Sequence, residues 1–318
     1  MTKQKSVLLL GSYGHTNLGD DVLMWNYLEY LKSLSYTNIY VNVNDPNLVP
    51  QPIRQKYPDL HMLETYKTSI ATYIRIMREV DCVVYGGGTI YKELYASTGR
   101  SKYSVIQRLM IFNVLARLLG ARIYHLHIGI GSLKTSLGRF ITKHSLAPAT
   151  YSLLRDHESY VFARDTLKLP DTKLYDTTDG LFLNQIWRKP WHKAPLPPAA
   201  KKTGTVIGIN VLSDIPDWVD RKAYITTIRQ FVKNRLEEGS YVVFVPFQHD
   251  HNPRNDRLFM HKIFDDILAT YPNHHFIEQA TIDTISSLVK QCDVFVGMRF
   301  HSLLLSTVNH VPFVGIAY

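Results

Sequence analysis

Two basic side chains two positions apart, Arg299 and His301, are the best equipped in this sequence for chemistry. They sit in Gly297-Met298-Arg299-Phe300-His301-Ser302-Leu303-Leu304-Leu305, after a β-rich run from Cys292 to Val296 and within apolar helical spacing from Phe300 to Val308. Gly297 permits a sharp turn at the strand's end, which sets both side chains at a helix N-terminus. Unpaired amides and the positive dipole end favour an anion there; a fixed cation and a titratable imidazole add charge and a proton donor. Gly297, Arg299, His301 and Ser302 thus make a candidate anion site with its own acid. It lies at the carboxyl end of a predicted parallel strand, where open α/β sheets hold ligands. The plainer alternative is a surface arginine and a capping histidine.

Further polar candidates follow predicted strands. The apolar run Ser6 to Leu10 leads into Gly11-Ser12-Tyr13-Gly14-His15-Thr16-Asn17-Leu18-Gly19-Asp20-Asp21 and a helical pattern to about Leu34. Its glycines do not fit G-x-G-x-x-G, and two acids at the helix start would repel a pyrophosphate, so a nucleotide fingerprint is disfavoured. Asp20 either caps the helix or accepts hydrogen bonds from substrate hydroxyls, with His15 and Asn17 as candidates for the same task. Gly86, Gly87, Gly88 and Thr89 follow the strand Cys82 to Tyr85; glycines there bring amides to a ligand or form a tight turn packed on the first glycine loop. In the strand Arg122 to Ile128, alternation puts His125 and His127 on one face. No Cys or carboxylate joins them at ligand spacing, so no metal is expected: one is read as a core histidine and the other, His127, as facing a cleft. Arg164, after a predicted strand Tyr160 to Ala163, is the candidate second cation, or merely an ion-pair partner of Asp165. Pro246 to His251 reads as a polar strand-end turn.

The elements that must position these residues repeat a strand–helix alternation. In the first part, helices are expected at Ile70 to Val80, Val105 to Leu119 and Leu137 to Leu154, with a further strand at Ile39 to Val43 and a Pro/Asn-rich loop from Asn44 to Pro58. Proline density from Gln185 to Thr203 marks a linker without regular structure. Beyond it, strands at Thr205 to Val211, Tyr241 to Val245, His275 to Ile277, Val294 to Val296 and Phe313 to Ile316 alternate with helices near 221–237, 254–270 and 282–290. Such alternation means parallel sheets with helices on both faces. Asp81-Cys82-Val83-Val84-Tyr85-Gly86 echoes Cys292-Asp293-Val294-Phe295-Val296-Gly297, so two similar doubly wound domains facing a cleft are expected, at 1–184 and 204–318. The 318 residues are 45% hydrophobic, enough for two cores. No apolar run reaches the roughly 18 to 20 residues of a membrane span, and the first ten residues lack a signal-peptide cleavage site, which places the protein in the cytoplasm. Cys82 and Cys292 lie in apolar strand runs and read as buried, reduced thiols. A net charge of +9 favours anionic partners: phosphorylated metabolites, or an anionic membrane surface met peripherally at its inner face. With the basic residues dispersed and no aromatic RNA-binding signature, nucleic acid is set aside.

The order of these motifs, from the glycine loop with Gly19-Asp20-Asp21 through Gly86-Gly87-Gly88, Gly129-Ile130-Gly131 and Arg164-Asp165 to Gly297-Met298-Arg299-Phe300-His301, resembles the polysaccharide pyruvyl transferase family over most of the chain. The resemblance implies two Rossmann-like domains in a GT-B-like arrangement and no cofactor, with phosphoenolpyruvate as co-substrate. It implies a sugar of a cell-surface glycan or lipid-linked precursor as acceptor, and a cyclic pyruvate ketal as product. Arg299 and His301 match the family's arginine and acid, with Arg164 in the place of a second donor-binding arginine. His15, Asn17, Asp20, Gly87, Gly88 and His127 fall to the acceptor side. Family members continue past the last strand with a Tyr-Asp-x-Lys-like segment and a helix, whereas this sequence stops at Tyr318, so that either the second domain is cut short or this member is minimal. Two other readings use the same architecture: a sugar-nucleotide glycosyltransferase, which would need a ribose-binding carboxylate in the second domain, and a non-catalytic phospho-sugar-binding protein.

Overall fold

The computed structural model describes residues 4–94, 99–183, 195–202, 204–213, 215–216, 218–249, 255–278, 281–282 and 284–317. The chain forms two compact units, Met1–His15 with Asp20–Gln185, and Thr16–Gly19 with Ile186–Tyr318. In the first, seven parallel strands among the described residues are β1 (Lys5–Leu10), β2 (Tyr36–Val43), β3 (His61–Glu64), β4 (Cys82–Gly86), β5 (Arg122–Ile128), β6 (Tyr151–Leu154) and β7 (Leu174–Asp176). They lie in the order β3-β2-β1-β4-β5-β6-β7, so the chain reverses direction across the sheet between β1 and β4. The helices are α1 (Leu18–Ser33), α2 (Gln51–Lys56), α3 (Ile70–Glu79), α4 (Ser104–Leu118), α5 (Ser136–Leu146) and α6 (His157–Val161). Because helices cover it, β1 is apolar without alternation and buried from Ser6 to Leu10. Leu8, Tyr73, Tyr85, Phe112, Ile123 and Ile141 belong to its core.

The second unit repeats the plan. Its strands β8 (Val206–Asn210), β9 (Tyr241–Phe244), β10 (His274–Phe276), β11 (Val294–Gly297) and β12 (Phe313–Gly315) lie parallel in the order β10-β9-β8-β11-β12. They alternate with α7 (Arg221–Glu237), α8 (Asp256–Leu268), α9 (Ile285–Val289) and α10 (Phe300–Val308). The core gathers Ile209, Val232, Phe244, Met260 and Phe264. The echoing segments occupy equivalent strands, β4 and β11, each beside the first strand of its sheet. Each is preceded by an aspartate with the same duty: Asp81 accepts the Ser6 amide at 2.9 Å, and Asp293 the Val206 amide at 2.7 Å.

Several expectations are corrected. The single helix from Leu137 to Leu154 stops at Leu146, because Pro148 cannot supply the amide a continuing helix needs; Tyr151–Leu154 is then a strand. The strand expected at Tyr160 to Ala163 is helical instead: Asp156 caps α6 by accepting the Ser159 amide at 2.7 Å, and the coil continues as a π turn, Phe162–Thr166. A short apolar run cannot by itself tell strand from helix. The loop expected from Asn44 to Pro58 contains α2, and β3 was not foreseen. Within the predicted linker, Pro198–Lys202 makes a 3-10 turn, while 184–194 and 203 lie outside the described residues. Both cysteines are buried and unoxidised, with burial pushing the Cys292 thiol up to about 12.

Candidate functional site

In the second unit the site is built around a buried carboxylate. Arg299, in extended conformation, ends the turn after β11 and stands at the N-cap of α10, a nine-residue helix with no side-chain cap. Its Nε and Nη2 donate to the two oxygens of Asp256, at 3.1 and 2.7 Å, and Nη2 also donates to Gln248 Oε1 at 2.7 Å. Asp256 is fully buried at the start of α8 and also accepts the Phe247 amide at 3.2 Å. Asn210, the last residue of β8, donates to Asp256 at 3.3 Å while its Oδ1 receives the Arg299 amide at 3.1 Å. The guanidinium is therefore aimed and partly neutralised by a fixed carboxylate, rather than being the bare cation that the sequence suggested. Such bidentate pairs fix geometry as much as charge.

Gly297 and Ser302 shape this turn. A Cβ at Gly297 would fall 2.4 Å from Ser302 Oγ, so the strand needs glycine to pass the helix start. Ser302 is fully buried and its hydroxyl donates to the Arg299 carbonyl at 2.7 Å, which corrects its assignment as a donor-binding group: it is spent within the turn. His301 is half-buried in the first turn of α10. Its ring lies on the segment Thr16–Gly19 of the same unit, where a Cβ at Gly19 would meet His301 Nδ1 at 2.3 Å. That segment is stitched down by the Leu18 amide donating to the Phe247 carbonyl at 2.9 Å and by a bridge between Asn17 and Gln248. Asn17 Oδ1 accepts the Gly19 amide at 3.1 Å, so Asn17 takes the helix-start role considered for Asp20. Of the turn at Pro246 to His251, Asp250 and His251 lie outside the described residues.

In the first unit, the loops after β4, β5 and β6 meet around Arg155, which sequence reasoning missed. Arg155 follows β6 directly, donates to Thr89 Oγ1, and lies 3.5 Å from carboxylate oxygens of Asp179 and Asp156. A Cβ at Gly129 would strike Arg155 Nε at 2.7 Å, which explains that glycine. The glycines of the β4 and β5 loops extend the sheet pairing: Gly129 N–H donates to Gly88 O, and Gly87 N–H to Leu126 O, each at 2.9 Å. Gly86 is packed by Tyr13 and Tyr27, so the structural reading of the triplet holds there. Gly87 and Gly88 are both left-handed; Gly87 is buried, whereas a Cβ at Gly88 would meet only ordinary contacts, 3.8 Å from Ile90 and 4.0 Å from Asp20 Oδ1. Asp21 is buried and accepts the Gly14 amide; burial and the charge of Asp20 push its carboxyl well above the usual range. His15 is half-buried in the loop after β1.

The two histidines of β5 do not share a face. His127 has a φ of 53°, and the pairing with β6 slips between His125 and Ile128, so a bulge re-aims it. His125 is fully buried between Ser152 Oγ and the Tyr91 hydroxyl, each at 3.0 Å from a ring nitrogen. His127 Nδ1 donates to the Thr178 carbonyl at 2.7 Å; since a carbonyl only accepts, Nδ1 carries the proton and Nε2 holds the lone pair in the neutral ring. Burial lowers its pKa, which keeps it neutral. Arg164 sits on the π turn rather than directly after a strand, exposed, and pairs with its neighbour Asp165 at 2.7 Å. Its basis as a second cation, a place after a strand, is thereby removed, and Arg155 holds that place. The signal was Pro148, which ends one element before the next apolar run. Asp256 carries no such signal, because nothing in sequence links it to a residue 43 positions away. Among the described residues no group of three or more His, Cys, Asp or Glu is arranged to hold a metal ion.

Solved structures share this architecture at low identity. A putative UDP-N-acetylglucosamine 2-epimerase from Listeria monocytogenes matches with a TM-score of 0.62 at 11% identity, covering 98% of this chain and 79% of that one. The S. aureus MnaA–UDP structure matches with a TM-score of 0.61 at 11% identity, over 99% and 80% of the two chains. The UDP-GlcNAc 2-epimerase of Methanocaldococcus jannaschii matches with a TM-score of 0.58 at 13% identity, over 98% and 83%. At such identities the likeness shows the fold alone: Rossmann-like units of GT-B type. No curated protein sequence matches. The model of the polysaccharide pyruvyl transferases matches residues 17–318, nearly the whole chain, and the protein belongs to that family.

Proposed function

We propose that this transferase moves the enolpyruvyl group of phosphoenolpyruvate onto two hydroxyls of one sugar, in a glycan or lipid-linked saccharide, to form a cyclic ketal. The observation that carries the reading is the Arg299–His301 pair at the uncapped start of α10, oriented by Asp256. In this reading Arg299 and the helix amides hold the donor's anionic groups, and His301 delivers a proton to C3, turning the methylene into a methyl and leaving C2 as an oxocarbenium. One hydroxyl adds to C2; the second displaces phosphate and closes the ring. Of the two hydroxyl protons, one replaces that given by His301 and one leaves with phosphate. A positioned imidazole is typically worth about 10²- to 10⁴-fold, and donors aimed at charge need no metal. The first unit's loops, with His15, Asp20, Gly87, Gly88, His127 and now Arg155, form the acceptor side, and Asn17 stays a candidate for hydrogen-bonding the same substrate. A peripheral contact with an anionic membrane surface, favoured by the net charge of +9, completes the reading; no helix among the described residues is long and apolar enough to cross a membrane. The test is incubation with phosphoenolpyruvate and a panel of soluble glycosides. Phosphate release together with a new ketal methyl signal by NMR supports it; glycosyl transfer from a sugar nucleotide, or binding without turnover, refutes it.

A further inference from the structure

The net charge of the chain has a location. From Leu94 through Arg155, Arg155 included, there are nine Lys and Arg and no Asp or Glu, leaving 27 of each sign elsewhere. The basic residues are dispersed along the sequence, but the acidic ones are missing from this stretch, so the entire excess of +9 resides in it. It includes α4 and α5, which pack against each other on the first unit's sheet and contain no acidic residue.

Both helices turn large apolar side chains outward. On α4 the exposed series is Ile111, Val114 and Leu118, at i, i+3 and i+7, with Leu118 77% exposed; on α5 it is Leu137 and Phe140, with Phe140 57% exposed. Their inward faces are satisfied by Ile106, Phe112, Ile141 and Leu146 in the core, so folding of this unit does not account for the outer stripe. Exposed Arg117 and half-buried Lys143 flank it. Apolar residues grouped on the surface mark an interaction site, and basic residues around such a stripe suit a helix face lying in the plane of an anionic bilayer. The apolar side chains enter the acyl boundary while Lys and Arg meet phosphates, an attraction that weakens with salt.

We propose that the α4–α5 face is the surface by which this protein docks on anionic lipid membranes. This rests on the membrane contact in the reading above but is independent of the pyruvyl chemistry. The test uses the full chain without substrates, in flotation with vesicles of phosphatidylcholine alone or with phosphatidylglycerol. Wild type is expected to bind the anionic vesicles at least tenfold more tightly, less so at high salt. The charge-reversed pair Arg117→Glu with Lys143→Glu should lose at least tenfold, and Leu118→Ser with Phe140→Ser should lose binding even at low salt. All these side chains are outside the site, so phosphate release with a soluble glycoside should stay unchanged, and failure of the pyruvyl reading would appear only in that second assay. Equal affinity for neutral vesicles, or variants that bind as wild type does, would overturn the proposal. So would a self-associating wild type made monomeric by Phe140→Ser, or RNA binding lost in the variants with no vesicle binding.

Discussion

Strands β4 and β11 are the same element used twice, and their two ends differ in what they tolerate. At the amino ends, Asp81 and Asp293 accept a backbone amide of the neighbouring first strand in the same way. At the carboxyl ends the units diverge: β4 runs into Gly86, Gly87 and Gly88, paired to the next loop and backed by tyrosines, whereas β11 runs into Arg299, bound to Asp256 and followed by a helix. One end of the strand makes the sheet, and the other is free to carry chemistry, as the topology of open α/β sheets allows. The first unit's carboxyl end is built for backbone proximity, the second's for a directed charge.

The sharpest test of that division lies at β11. His301→Gln keeps hydrogen-bonding capacity but cannot act as an acid near neutral pH, so phosphoenolpyruvate affinity should stay within about tenfold while kcat falls by roughly 10²-fold or more. Near-normal turnover on an authenticated acceptor would remove the acid role. Asp256→Ala should act through Arg299: donor affinity is expected to fall at least about tenfold and the second unit to lose about 2 kcal/mol. That is below the usual cost of breaking a buried pair, because Arg299 is 22% exposed. Unchanged donor binding with the same destabilisation would show Asp256 to be structural only.

How much of this was legible beforehand follows the same division. The alternation of apolar runs and the glycines after them located β4, β5, β11 and the Arg299 turn, because strand burial and tight turns leave local marks. His301 and Arg299 were singled out because they sit next to such marks. Asp256 and Asn210 were not, since a pairing across the sheet is decided by tertiary placement. Arg164 was singled out and Arg155 missed because four apolar residues were read with the wrong period: Tyr160 to Ala163 is helical, and the strand lies one element earlier. His127 escaped its predicted face through a bulge that period-two alternation cannot contain.

Acid acts on buried histidines of the first unit. In the first unit burial pushes the His125 pKa down to about 3, and His127 is lowered in the same direction. The folded state keeps His125 neutral while the unfolded chain takes up a proton below its ordinary value of about 6.5. The stability from this group is therefore complete above about pH 6.5 and is lost as pH falls toward 3. At pH 5 the loss is about 2 kcal/mol. Denaturant unfolding at pH 7 and pH 5 should show that drop in wild type and a smaller one in His125→Gln; equal drops would mean that other groups carry the dependence.

A smaller effect separates the two arginines of the first unit. Arg155→Ala leaves Thr89 and Asp179 without their shared partner, so kcat/KM for the acceptor should fall about tenfold, an interaction energy of the charged hydrogen-bond class. Arg164→Ala removes an exposed side chain paired with its own neighbour and should change neither activity, within about twofold, nor stability, within about 0.5 kcal/mol. The reverse ranking would restore Arg164 to the site.

The smallest expected difference is the one that best isolates the shared element. Asp81→Ala and Asp293→Ala each remove the acceptor of one strand amide, Ser6 in the first unit and Val206 in the second. Both bonds are only partly buried, so water recovers some of the lost bonding and each substitution should cost about 1 kcal/mol, the low end for an amide left unmet. Asn in either place keeps an oxygen for the amide and should recover most of it. Because the aspartates sit at the amino ends of β4 and β11, a strand's length from Gly88 and Arg299, neither change should alter a KM, although each loosens the strand that carries a site. A donor KM that rises in Asp293→Ala and not in Asp81→Ala, at equal loss of stability, would mean that β11 transmits strain to Arg299 along its length. The separation of a structural amino end from a chemical carboxyl end would then fail in the second unit.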